Sequence, residues 1–171
     1  MKSLLLVLLA VSIATVVTVK SVVTAITEDY VPIMAEVPRK DHRIELVREY
    51  LQSKNSPLAD ESELLLKQKH WEFLIAISAI ESEFCQRQLS WNCWGIGGDM
   101  YYRHYSSLRA AIIDADDFIT HWQSKGRWLT VEDMNCSYVQ PCNENWVRVV
   151  KKVLADLEII MLKNIGQERK K

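Results

Sequence analysis

The chain contains no Cys-x-x-Cys pair, and its four histidines (His42, His70, His104 and His121) show no ligand spacing, so no zinc site is expected. It has neither a glycine-rich phosphate loop nor a Ser-centred nucleophile elbow, and no motif calls for a cofactor. A basic stripe is also missing. The net charge is −1, and the one cationic cluster is Arg169, Lys170 and Lys171, so the cationic face of a nucleic-acid binder is not expected. No internal repeat and no run of alternating strands can be traced through the 171 residues. What is left is a small all-α protein, with room for at most one β-hairpin within residues 91–105.

The N-terminus carries the longest apolar run. Lys2 is followed by SLLLVLLAVSIATVVTV, uncharged from Ser3 to Val19. That is longer than an ordinary signal-peptide core and slightly short of the roughly 20 residues of a membrane helix. Residues 1–27 therefore read either as a signal peptide, with Val23-Thr24-Ala25 as its cleavage site, or as a retained membrane anchor through residues 3–19. Both send the remainder out of the cytoplasm. The cysteines fit an oxidising compartment: Cys85, Cys93, Cys136 and Cys142 all follow this segment. They allow three pairings, and the shortest loops would join Cys85 to Cys93 and Cys136 to Cys142. Residues 28–41, with two prolines and mixed charge, read as a linker. The domain proper is expected over 42–163, with a basic tail at 164–171.

Within that domain the apolar spacing predicts helices over 42–54, 58–69 and 70–82. A fourth runs from a Ser106 or Ser107 cap to about Ser124. A short one opens on the capping box of Thr130 to Asp133, and a long one begins at Asn143. The third helix is the most apolar, with Phe73, Leu74, Ile77 and Ile80 as its bulk. It ends at Glu81 and is followed by a loop rich in glycine and aromatic residues.

A carboxyl group at the end of an apolar helix is partly desolvated, which raises its pKa and suits it to act as a general acid near neutral pH. Glu83, two residues on, does not share a helical face with Glu81 and is a poor partner for it. Asp99, Asp114, Asp116, Asp117, Glu132 and Asp133 remain as candidates for a second carboxylate. A one-carboxylate mechanism, with a group of the substrate as nucleophile, dispenses with the partner. Trp91, Trp94, Tyr101, Tyr102 and Tyr105 lie just downstream, and flat rings of this kind bind the apolar faces of sugars.

The segment AISAIESEF resembles the Glu-Ser motif of the lysozyme-like superfamily. The following NCWGIGG is similar to a stretch of bacterial endo-β-N-acetylglucosaminidases that act on peptidoglycan. SPLAD, YSSLRAAIIDADDFI and SYVQPCNENWVRVVKKVLADL extend the likeness over about residues 55–160. The resemblance implies a lysozyme-like helical domain behind the N-terminal segment, with peptidoglycan glycan strands as partner. It implies Glu81 as the acid, with Ser82 supporting the helix end, Asn92 and Trp94 shaping the cleft floor, and Tyr138 approaching the carboxyl. The Gly-Leu-Met-Gln motif of lytic transglycosylases is absent, and Cys85 stands where a small residue is usual.

Overall fold

The computed structural model describes residues 41–97 and 101–168, with side chains to residue 162. The expected signal or anchor segment lies outside the described residues, as does Asp99. No helix among the described residues is long and apolar enough to cross a membrane. Among the described residues six α-helices are joined by turns and loops: α1 (His42–Ser53), α2 (Ser62–Leu66), α3 (Trp71–Glu81), α4 (Leu108–Ser124), α5 (Val131–Met134) and α6 (Glu144–Glu168). No strand forms among the described residues. A single bridge between Asn135 and Val139 is the nearest approach to one, so the class is all-α.

Local signals explain most of the helix starts. The Asp41 carboxylate accepts from the Arg43 amide at 3.0 Å and caps α1. Ser107 caps α4 through the Ala110 amide at 3.2 Å. Thr130 and Asp133 form a complete capping box on α5. Asn143 accepts from the amides of Asn145 and Trp146, at 3.0 and 3.2 Å, to open α6. The span 58–69 departs from expectation. Instead of one helix, the chain makes a 3₁₀ helix, Pro57–Glu61, and then the short α2. Ser56 caps the 3₁₀ turn through the Leu58 amide at 3.2 Å and also donates to the Phe84 carbonyl at 2.7 Å. The segment is thereby tied to the end of α3 and turned out of a straight helical path.

The central helix, α3, packs on α6 along most of its length and also meets α4 and α2. Leu74, Ile75, Ala76, Ile77 and Ser78 are fully buried, so its middle has no polar face. Ala76 and Ser78 are small enough for close helix approach, and the Ser78 hydroxyl is satisfied by the Ile75 carbonyl at 2.9 Å. Val47 and Leu51 of α1, Ile112 of α4 and Val150 and Leu157 of α6 complete the core around it.

The start of α3 has no cap of its own; His70 offers no side-chain bond there. Asp116, from the middle of α4, supplies one. Its carboxylate accepts from the His70 amide at 2.8 Å and the Lys69 amide at 3.3 Å, and the residue is only 8% exposed. This binds the two helices through a charge-assisted contact. Asp116→Ala should therefore lower the unfolding free energy by about 1–3 kcal/mol in urea denaturation. An unchanged midpoint would show that the amides find other acceptors.

Candidate functional site

Glu81 is the last residue of α3, and the chain reverses immediately after it. Glu83, Phe84 and Cys85 take φ values of 50°, 56° and 69°, three successive left-handed residues none of which is glycine. Specific bonds hold this strained turn. The Phe84 amide donates to the Ser78 carbonyl at 2.9 Å, and the Cys85 amide to the Ser82 hydroxyl at 3.0 Å. Ser82 in turn donates to the Cys93 carbonyl at 2.7 Å and lies within 3.1 Å of the Ser78 carbonyl. Cys85 and Cys93 are joined by a disulfide, with Cα atoms 4.8 Å apart. The second disulfide, Cys136–Cys142, spans 4.1 Å between Cα atoms. The shortest-loop pairing is the one formed, and two disulfides fit an oxidising, extracytoplasmic setting.

This turn returns residues 92–97 to the end of α3. Asn92, 2% exposed, bonds the Ile96 amide and carbonyl at 3.0 and 2.8 Å and the Arg103 carbonyl at 3.1 Å. It is the brace of the loop. Trp94, 1% exposed, directs its indole N–H at the Leu74 carbonyl, 2.8 Å away, and belongs to the core. Ser82, 3% exposed, is likewise enclosed. Ser82, expected to support the helix end, and Asn92 and Trp94, expected to shape the cleft floor, all sit beneath the surface. Gly95 makes the close approach to Glu81. A Cβ built on it would lie 3.2 Å from Glu81 Oε2, and its φ of +63° is in the left-handed region.

The Glu81 carboxyl has two distinct sides. Oε1 accepts from the indole N–H of Trp146, at 2.8 Å, on the first turn of α6. Oε2 faces Gly95. The residue remains open to solvent along one side, while burial on the protein side raises its pKa; the Trp146 bond opposes that rise without cancelling it. Tyr138, half-buried, donates its hydroxyl to the Trp94 carbonyl and stacks on Trp146 with ring centroids 5.8 Å apart. Burial, and then the nearby Glu81 charge, raise the Tyr138 pKa and keep the hydroxyl a donor.

From Tyr138 a wall of rings runs away from the carboxyl. Tyr138 meets Trp128 at 5.3 Å, and Trp128 meets both Trp122 and Phe118 at 5.3 Å. These rings line a cavity of about 180 Å³, closed on its other side by Gly95, Ile96 and Gly97. Phe118 and Trp122 also line a second, wider cavity of about 370 Å³ with Arg103, Asp114, Asp117 and His121. Phe118 and Trp122 border both cavities; the first is a groove that begins at Gly95, the residue that approaches Glu81. The Trp122 indole N–H is buried without an acceptor, a deficit of about 1–3 kcal/mol in a closed structure.

The aromatic residues nearest Glu81 in sequence are not the ones in this wall. Tyr101 is 78% exposed, Trp91 is 40% exposed, and the Tyr105 hydroxyl is committed to Asp114 at 2.6 Å. Trp146, which bonds the carboxyl, is the functional candidate that the sequence pattern does not disclose; Trp128, 3% exposed and bonded to the Ser137 hydroxyl, backs the ring wall from the core. Trp146 occupies a core-facing position of a long helix, and only its polar ring edge hints at a further use. Of the possible second carboxylates, Asp116 caps α3, Asp133 caps α5, Glu132 pairs with Lys151, and Asp114 pairs with Arg103 at 2.5 Å. Asp117 lines the wider cavity and has no partner among the described residues.

Two outcomes follow from the carboxyl's environment. Trp146→Phe deletes a donor that favours the charged form, so the Glu81 pKa, followed by carboxyl-carbon NMR titration, should rise further; a fall would mean that the indole acts chiefly by desolvating Glu81. A carboxyl whose folded pKa lies above its unfolded value binds more protons folded than unfolded, so its stability contribution declines as pH rises through that interval. Glu81→Gln should therefore be more stable than wild type at pH 7, with the gain vanishing in acid below the ordinary carboxyl range. Parallel denaturation curves at both pH values measure it.

Comparisons with protein-family models, with curated proteins and with solved structures each return no match, so what this site does is argued from its geometry.

Proposed function

We propose that the protein cleaves the glycan strands of peptidoglycan, with Glu81 as general acid. The observation that carries this is a carboxyl group with a raised pKa, fixed at Oε1 by Trp146 and standing at the head of a groove walled by Tyr138, Trp128, Trp122 and Phe118. Oε2 is the atom free to carry the proton toward the groove. Aromatic walls suit sugar rings, whose axial C–H faces are apolar while their edges seek hydrogen bonds.

The chemistry needs one carboxyl if the substrate supplies the nucleophile. Glu81 delivers its proton to the glycosidic oxygen as the bond from C1 breaks. The carbonyl oxygen of the sugar's own 2-acetamido group closes on C1. Water then attacks C1, reopening that ring, and its proton returns to the Glu81 carboxylate. Sugars with a 2-acetamido group are the repeating units of peptidoglycan, and hydrolysis after N-acetylglucosamine, an endo-β-N-acetylglucosaminidase activity, accords with the resemblance of NCWGIGG. A muramidase would cut after N-acetylmuramic acid, and a lytic transglycosylase would leave an anhydro sugar.

A second reading has its own support. The carboxylate nearest in sequence, Glu83, is ion-paired with Arg87, and Asp114, Asp116, Glu132 and Asp133 are each engaged elsewhere, which suits a cell-wall-binding module of the same shape without turnover. Digestion of purified peptidoglycan with mass spectrometry of the products separates the two. Wild type is expected to release fragments with N-acetylglucosamine at the reducing end, and Glu81→Gln to be slower by about 10²–10⁴-fold while remaining folded. Wall co-sedimentation that persists in Glu81→Gln, with no fragment from the oxidised wild-type chain, would establish binding alone.

A further inference from the structure

The two disulfides differ in their access to solvent. Cys85 and Cys93 are 1% and 0% exposed, whereas Cys136 and Cys142 are both exposed. An exposed disulfide is the one that a soluble thiol can reach, and such bonds are the more readily reduced. The loop that Cys136–Cys142 closes also carries part of the groove. Ser137 and Tyr138 lie within it and line the cavity that begins at Gly95. The Ser137 hydroxyl accepts the Trp128 indole N–H at 2.6 Å, and the Tyr138 hydroxyl donates to the Trp94 carbonyl.

The far limb of this loop leads directly to the candidate acid. Asn143 follows Cys142 and caps α6 through the amides of Asn145 and Trp146, and Trp146 bonds Glu81 at 2.8 Å. The Cys136–Cys142 bond thus ties the ring wall to the helix start that fixes the carboxyl. Cys136 itself has a φ of 69°, a left-handed conformation that a residue other than glycine leaves when released. The other ties across the neck of the loop are non-covalent. The Asn143 amide donates to the Asn135 side chain at 2.8 Å, and Asn135 bridges to Val139. Opening the disulfide leaves only these, while the buried Cys85–Cys93 bond keeps the turn after α3 closed.

We infer that the Cys136–Cys142 disulfide is a reducible latch on the groove and on Trp146, the residue that positions the acid. A dithiol reductant opens it. One thiolate of the reductant attacks an exposed sulfur and displaces the other cysteine as a thiolate, which takes up a proton. The second thiolate of the reductant then attacks the mixed disulfide and releases the first cysteine. Two electrons have passed to Cys136 and Cys142, which end as thiols, and the reductant ends as a disulfide. The closed latch is the competent state. Its effect on cleavage rests on the proposed glycan-cleaving function; its effect on Trp128 and Trp146 does not.

The test treats the full oxidised chain with graded dithiothreitol, then alkylates the released thiols and locates them by peptide mass spectrometry. Cys136 and Cys142 should be labelled on the order of tenfold faster than Cys85 and Cys93. In the selectively reduced protein the indole N–H NMR signals of Trp128 and Trp146 should shift. That of Trp94, bonded to the Leu74 carbonyl in the core, should stay in place. Peptidoglycan cleavage should fall by roughly 10²-fold, the cost of a misplacement of about 1 Å, and should return on reoxidation. Cys136→Ser combined with Cys142→Ser should reproduce the shifted signals and make the site indifferent to the reductant. Labelling of all four cysteines at one rate, a Trp94 signal that moves with the others, unmoved Trp128 and Trp146 signals, or undiminished cleavage by the reduced chain overturns the latch. Selective reduction with shifted indoles, in a protein that releases no glycan fragment even when oxidised, upholds the latch and overturns the glycan reading.

Discussion

One hydroxyl holds together everything around the candidate acid. Ser82 receives the Cys85 amide and gives its own proton to the Cys93 carbonyl, so the helix end, the reversal and the returning loop meet at a single buried atom. Three successive left-handed residues would not persist without such over-determination. The disulfide between Cys85 and Cys93 closes the same small circuit covalently. Position of the carboxyl, approach of Gly95 and opening of the groove all inherit their accuracy from this knot rather than from any residue that would touch a ligand.

The sequence made legible what is decided locally. Caps are properties of three or four adjacent residues, so the Thr130–Asp133 box and Asn143 could each be placed from spacing alone, and the cap of α4 narrowed to Ser106 or Ser107, of which Ser107 serves. The apolar character of α3 was equally plain, because a helix without a polar face has only one place to be. Pairing of the cysteines followed the shortest loops because both loops close tight reversals.

What stayed hidden depends on residues distant along the chain. Trp146 lies 65 positions from the carboxyl it bonds, and Asp116 lies 46 from the amide it caps. Nothing in the immediate neighbourhood of either reports the other. The break of the 58–69 span has the same origin, since Ser56 is drawn to Phe84 across 28 residues. The aromatic rings next to Glu81 in sequence are not those of the groove, because helix packing brings the rings of α4 and the turns after it there. Trp94, the most conspicuous ring of the loop, went to the core because its N–H had a buried carbonyl to satisfy.

Placing the carboxyl on the final residue of α3 has an effect separate from its surroundings. The peptide dipoles of a helix add along the axis and leave partial negative charge at the carboxyl end. Glu81 stands at that pole. The same glutamate on the first turn of α3 would face the positive pole, where a carboxylate is welcomed and gives up its proton readily. At the last turn the field of the backbone resists ionisation, acting in the same sense as the apolar packing. The direction in which the chain threads its central helix thus helps to make this residue a proton donor, before any neighbouring side chain is considered.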